Sequence, residues 1–216
     1  MNIAFIGGGA IAHSIARLAK IAGHSCALGV RNLSAHALMA AEFPTAGYEE
    51  AILGADMVII AVPYLALGEV LPPLAEVLVG KIVVDTTNAV KADWSPFPTG
   101  EESSAAEQIQ AMLPGSRVAK AFNTIYADVI RPERLDRNGL RVSLFVASDH
   151  VEATQAVLAL GGELGFDAVN AGPLKSARYL EAIAHLNLEL AFGQGDGTNT
   201  AIIYHRADPA KEKNQH

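Results

Sequence analysis

The sequence predicts an α/β fold: a doubly wound, mostly parallel sheet of the Rossmann type with a C-terminal helical segment. Three observations predict it. Short β-rich runs alternate with segments of helical apolar spacing from the first residues onward. Met57–Val62 is a continuous apolar run, as expected of a parallel strand buried on both faces. Three glycines, Gly7, Gly8 and Gly9, stand directly after the first apolar run, where a strand must turn sharply into a helix.

The elements follow in order. Ile3–Ile6 reads as a short strand, and Ala10–Ala22 as a helix stopped by Gly23-His24. Ser25–Val30 reads as the second strand, after which Ser34 offers an N-cap to a helix over Ala35–Phe43 that Pro44 closes. A short helix is expected over Glu49–Leu53, then the strand Met57–Val62 ended by Pro63. Leu65–Leu78 reads as a helix interrupted at Pro72-Pro73, and Ile82–Asp85 as another buried strand. Ala89 to Ser103 mixes Asp, Trp, Pro and Gly without a period and reads as a loop. Helices are expected over Ser104–Leu113, Val151–Leu164 and Leu174–Phe192, and strands over Arg117–Phe122, Val142–Ala147 and Ala168–Asn170. No repeat or linker divides the chain, so residues 1–204 read as one domain and 205–216 as a polar tail.

Composition narrows the function. A formal net charge of -7 over 216 residues argues against nucleic-acid binding, which needs a basic surface. The longest apolar runs are too short to span a bilayer, and no basic segment with a signal-type core opens the chain, so a soluble cytoplasmic protein is expected. The single cysteine, Cys26, lies in an apolar run and reads as a core thiol. The histidines lack metal-ligand spacing, and no metal site is expected. His185, within a helical stretch, reads as a satisfied helix histidine, and Arg178 with Glu181, one turn apart, as a structural ion pair.

The glycines fit a phosphate-binding turn. Gly7-x-Gly9-x-x-Ala12 matches the dinucleotide fingerprint G-x-G-x-x-G/A. Gly7 permits the tight turn, Gly9 lets backbone N–H groups approach a pyrophosphate, and Ala12 keeps the helix close to the strand. The positive end of the helix dipole then faces the diphosphate. NAD-binding domains usually place an acid at the end of the second strand. Here Arg31-Asn32 stands in its place. A carboxylate would repel the 2′-phosphate of NADP, whereas a guanidinium grips it, so NADP is expected over NAD. The other strand ends, AVPY (Ala61–Tyr64), DTTNAV (Asp85–Val90) and KAFNT (Lys120–Thr124), fall at the same crevice. Asp85, Asn88 and Asn123 there serve either ligand contact or loop geometry.

IGGGAIA, GVRN, AVPY, DTTN, KAFNT and AGPLKSARYLE, in this order, resemble the NADP oxidoreductases dependent on coenzyme F420, an 8-hydroxy-5-deazaflavin. Relatives of that family include the cytosolic NADPH domain of six-transmembrane metalloreductases. The resemblance runs from Met1 to about Tyr204. It implies that Gly9, Ala10 and Ile11 cradle the pyrophosphate and that Arg31 with Asn32 takes the 2′-phosphate. It also implies that Val62, Pro63, Asn88, Ala89 and Ala121 border the ribose and nicotinamide. The implied reaction is direct hydride transfer between NADP(H) and a deazaflavin or flavin ring (F420, FMN or FAD), which needs positioning and no acid–base residue. A homodimer through the Leu174–Phe192 helix is implied as well. The chain departs from the family in having Ala89, not proline, after the DTTN asparagine. The segment FGQGDGTNTAIIYH is also only loosely similar to the acceptor-side part. Two other readings stand beside this one: an NADPH:flavin or ferric reductase, and a non-catalytic NADP-binding regulatory protein.

Overall fold

The computed structural model describes residues 1–33, 41–91, 93–98 and 103–206. The strand β1 (Asn2–Ile6) sets the two-layered core by its alternation. Ile3 and Phe5 face the helix α1 (Ala10–Ile21), while Ala4 and Ile6 face a second apolar cluster on the other side of the sheet. β2 (Ser25–Gly29) and a two-residue β3 (Thr45–Ala46) extend the sheet on one side of β1. After the helix α2 (Tyr48–Leu53), β4 (Met57–Ile60) pairs with β1 on its other side, parallel and in register from Ile3↔Met57 to Ile6↔Ile60. Every residue of β4 is buried, as the apolar run demands.

The predicted helix over Leu65–Leu78 is the main revision. It forms as a 3₁₀ turn (Tyr64–Ala66), a short α3 (Leu67–Val70) and a second 3₁₀ turn at Pro72–Leu74. The two prolines lack the N–H groups a continuous helix needs there. β5 (Ile82–Asp85) follows, and Val90 bridges Pro96 within the predicted loop. α4 (Ala105–Met112) begins at Ser104, whose hydroxyl accepts from the Glu107 amide and donates to the Glu107 carboxylate, a reciprocal cap. β6 (Arg117–Lys120) ends the parallel run. A small hairpin, β7 (Asp136–Arg137) with β8 (Leu140–Arg141), was not expected from the sequence; Asn138 and Gly139 turn it with positive φ.

β9 (Ser143–Ser148) adds to β6 antiparallel, and β10 (Asp167–Gly172) to β9 parallel, with α5 (Val151–Glu163) between them. The sheet order is β10-β9-β6-β5-β4-β1-β2-β3. The chain therefore leaves β1 in one direction and returns through β4 in the other, so the switch point lies between β1 and β4.

The last helix differs at both ends from its prediction. It opens as a 3₁₀ turn (Leu174–Ser176) after Pro173, continues as α6 (Ala177–Leu188), and widens to a π turn over Glu189–Gly193. The Gln194 amide donates to the Glu189 carbonyl at 3.0 Å, closing the wider ring. The Glu189 carboxylate folds over Gly193, where a Cβ would lie 2.2 Å from its oxygen. The predicted helix over Ala35–Phe43 and its cap Ser34 fall outside the described residues except for Ala41–Phe43, which form a turn. Residues 207–216 of the predicted tail also lie outside them. Among the described residues no helix is long and apolar enough to cross a membrane.

Candidate functional site

The β1–α1 turn shows why two of its glycines are glycines. Gly7 has φ +120°, and a Cβ there would stand 2.4 Å from the Ala61 carbonyl oxygen, at the end of β4. Its amide donates to the Gly29 carbonyl at 2.9 Å, pinning the turn to the end of β2. Gly7 is thus demanded by the fold itself. Gly9 is different. It is the N-cap of α1 in extended conformation, and a Cβ there would meet nothing within 4 Å.

The first amides of α1 have no intrahelical acceptor, no side chain caps them, and no acidic residue stands in the first turn. Open space beside uncapped amides and the positive dipole end is a cradle for an anion. Ala12, fully buried, packs α1 onto the sheet at close range.

Arg31 lies beyond the end of β2 with an exposed side chain, 3.5 Å from Glu69 of α3. Such an exposed pair contributes about 0–1 kcal/mol, so the guanidinium is readily turned to a stronger anion. Asn32 beside it is exposed. Val62 follows the end of β4; its Cγ1 is 3.2 Å from the point where a Gly7 Cβ would stand, and Pro63 is exposed next to it.

A cavity of about 380 Å³ opens beside the turn and shares Ala10 and Ile11 with it. Its floor comes from the predicted strand ends, Thr86 and Asn88 after β5 and Phe122 to Thr124 after β6. Its far wall comes from α6 and the π turn, through Ala184, Asn187, Leu188 and Phe192. The site therefore has two halves, an anion cradle and an apolar cavity, meeting at Ala10 and Ile11. Ala89 and Ala121 are placed otherwise than side-chain contacts to a ligand would need. Both methyl groups are buried in the core and do not line this cavity. Their backbones serve the scaffold: the Ala121 amide donates to the Asp85 carbonyl, and the Ala89 carbonyl lies 3.2 Å from His185 Nε2.

Beneath the cavity lies a buried charge network that reading the sequence missed. Lys120 is wholly buried and donates to Asp85 Oδ2 and Glu181 Oε1, both at 2.8 Å, and to the Thr87 carbonyl. Burial alone would lower the lysine pKa, but the two carboxylates outweigh it and hold the ammonium charged. Asp85 Oδ1 also accepts from the Thr87 amide, and both Glu181 oxygens accept from the Ala105 amide at the start of α4. The network ties the loop after β5, the end of β6, α4 and α6 into one unit.

The expected Arg178–Glu181 pair does not form. Arg178 instead makes a bidentate contact with Glu107, at 2.9 and 2.7 Å, while Glu181 turns inward to Lys120. Glu181 sits on the buried face of α6, where only a buried cation can neutralise it.

Asn88 and Asn123 join the same loops. Asn88 Nδ2 donates to the Asn123 carbonyl at 2.8 Å, and Asn123 Nδ2 donates to Asn88 Oδ1 at 2.9 Å and the Leu180 carbonyl at 3.1 Å. On the outer side of α1, Glu42 receives two bonds from Arg17 at 2.7 Å and one contact from His13 at 2.8 Å. The hydrogen bond from Arg17 is the main cause that lowers the Glu42 pKa to about 2. Cys26 is a buried thiol that burial pushes up to about 11, consistent with a core residue and no nucleophile. Among the described residues no cluster of metal-ligating side chains occurs.

The chain is similar to several known proteins. The profile of the family "NADP oxidoreductase coenzyme F420-dependent" matches residues 2–89. The F420-dependent NADP reductase of Methanocaldococcus jannaschii is 31% identical over 140 residues, covering 62% of this chain and 61% of that protein. Metalloreductase STEAP3 of Rattus norvegicus is 28% identical over 182 residues, covering 84% of this chain; the chain spans only 36% of that protein's length. A candidate F420-dependent NADP reductase from Arthrobacter sp. FB24, of known crystal structure, superposes with a TM-score of 0.86 at 26% identity, over 95% of this chain and 100% of that one. The segment 2–89, which holds the glycine turn, Arg31 and the first strand ends of the site, is thus a part of the chain that resembles the coenzyme F420-dependent NADP oxidoreductases.

Proposed function

We propose that the protein binds NADPH across the β1–α1 turn and passes its hydride to a planar redox acceptor, a deazaflavin- or flavin-like ring, seated in the adjoining cavity. One observation carries the reading: the uncapped N-terminus of α1, with open space at Gly9, shares Ala10 and Ile11 with an aromatic-walled cavity. The residues fit the dinucleotide. The α1 amides would hold the pyrophosphate, Arg31 with Asn32 the 2′-phosphate, and Val62, Pro63 and Asn88 the ribose and nicotinamide side. When bound, NADPH supplies the hydride from C4 of its reduced nicotinamide ring.

The chain's own contribution is placement. Lys120, Asp85 and Glu181 fix the loop carrying Thr86 and Asn88 against α6, so the two walls of the cavity keep their spacing. Apolar walls, including Phe122, Ile125 and Leu188, exclude water from the transfer. A pairing of two chains through the exposed apolar side of α6, where Tyr179 and Leu186 lie, belongs to the same proposal.

The test follows loss of reduced-nicotinamide absorbance with purified protein against deazaflavin, FMN, FAD, a quinone and ferric chelates. Turnover with the fused-ring acceptors supports the proposal. Turnover with ferric chelates alone would assign a ferric reductase, and tight NADPH binding with no acceptor used would leave a regulatory nucleotide-binding protein.

A further inference from the structure

Two residues that line the cavity each carry a polar atom without a partner. Asn123 Oδ1 and the Tyr126 hydroxyl are both shielded from solvent and make no hydrogen bond. Both residues line the cavity, three positions apart in the loop after β6, where Phe122 turns the chain at φ +64° and the Ile125 amide closes onto the Phe122 carbonyl. Buried polar groups are nearly always satisfied, and each exception needs a reason.

The Asn123 side chain cannot turn its amide around without loss. Its Nδ2 already donates to Asn88 Oδ1 and the Leu180 carbonyl, which leaves Oδ1 as an acceptor on the other side. The residue is 7% exposed, so this acceptor is held in a fixed place. Tyr126 is held at its backbone, where its carbonyl accepts from the Val129 and Ile130 amides. Its ring meets Phe192 edge-on at 6.4 Å, and Phe192 in turn stacks on Trp94 at 6.4 Å. Burial raises the phenol above its usual range, so the hydroxyl keeps its proton and serves as a donor. Two residues of the cavity lining thus hold one fixed acceptor and one donor beside aromatic faces, both covered from water, so that a ring reaches them by displacing the side chains packed over them.

We infer that Asn123 Oδ1 and the Tyr126 hydroxyl are the recognition pair of the acceptor half of the site, binding a flat heterocycle through an edge on which an N–H stands beside a carbonyl. The N–H donates to Asn123 Oδ1 and the carbonyl accepts from Tyr126. The pyrimidinedione edge shared by flavins and deazaflavins has this order of groups, whereas quinones and ferric chelates do not. This inference rests on the proposed function and adds to it the residues that select the acceptor.

The test reads binding, so it does not depend on turnover. Lumiflavin and its N3-methyl derivative, which lacks the N–H, are titrated by flavin fluorescence into the wild type and Tyr126→Phe, each saturated with NADP⁺. The wild type is expected to bind lumiflavin about tenfold tighter than the methylated ring, and Tyr126→Phe to weaken lumiflavin about tenfold. NADP⁺ affinity should be unchanged in the variant. Its thermal midpoint should stay level or rise, because the hydroxyl removed has no partner in the protein. A structural hydroxyl would give the opposite, a lower midpoint. Equal binding of the two rings by the wild type, no binding of either, or an unchanged lumiflavin affinity in Tyr126→Phe would overturn the inference. Failure of NADP⁺ to bind would instead overturn the proposed function, and the ring titrations, repeated without nucleotide, would still decide this one.

Discussion

Replacing Lys120 with methionine removes the one cation between two carboxylates that the fold has withdrawn from water. The side chains of Lys120 and Asp85 are 0% exposed and that of Glu181 is 5% exposed. Methionine keeps most of the volume, so the packing loss is small and the main effect is electrostatic. Breaking a buried pair by removing one partner typically costs about 3–5 kcal/mol. For a chain of this size that corresponds to a fall in Tm of roughly 6–20 °C, at about 2–4 °C per kcal/mol.

The pH dependence identifies the cause. In Lys120→Met the orphaned carboxylates bind protons more readily folded than unfolded, so variant stability falls as pH rises. The deficit against the wild type, from urea unfolding, should therefore be larger at about pH 8 than at about pH 5. Adding Glu181→Gln to the variant should return part of the loss. A deficit below about 1 kcal/mol, or one that does not change with pH, would refute the reasoning.

The two glycines of the turn should fail in opposite ways. A Cβ at Gly9 meets no protein atom, so in Gly9→Val the fold should survive with a stability loss of at most about 1 kcal/mol while NADPH binding, measured by calorimetry, is lost. Gly7→Ala drives a Cβ into the Ala61 carbonyl at a positive φ and should destabilise the protein in urea unfolding. Arg31→Ala should lower NADPH affinity by roughly ten- to a hundredfold, on the order of 1.5–3 kcal/mol, and leave NADH affinity alone; a wild type that binds both equally would contradict the 2′-phosphate assignment. Glu42, held at about 2 in the folded state against an ordinary 4.5, stabilises the fold above its ordinary pKa and loses that contribution as pH falls towards 2. The gap in urea midpoint between the wild type and Glu42→Gln should accordingly narrow between about pH 5 and pH 3, and a constant gap would exclude the linkage.

The parts of the fold legible in the sequence are those where local chemistry has one outcome. The apolar runs of β1 and β4 become strands, the glycine turn lies at the switch point, and the strand ends at Asn88 and Asn123 meet in one place. The interruption of Leu65–Leu78 at Pro72-Pro73 was legible, but apolar spacing could not show that the pieces on either side shrink to 3₁₀ turns and a single α turn. Lys120 and Glu181 stayed hidden because their partners are distant in the chain, and a strand-end lysine ordinarily reads as solvated. One signal was available: Asp85 and Lys120 close two neighbouring strands, and the sheet pairs them in register. Opposite charges at matching ends of buried parallel strands point to each other. Tyr126 gave no signal at all, since its role comes from the cavity and not from spacing.

The central claim is that hydride moves directly from nicotinamide to a ring held in this cavity. It is tested most directly with NADPH carrying deuterium at C4, one face at a time, and a 5-deazaflavin acceptor in ordinary water. A deazaflavin suits the measurement because its C5–H does not exchange, unlike the N5–H of a flavin. The account predicts that label from one face appears at C5 of the reduced deazaflavin, and that label on the other face stays with the nicotinamide. Reduced deazaflavin carrying only solvent hydrogen at C5 would contradict it.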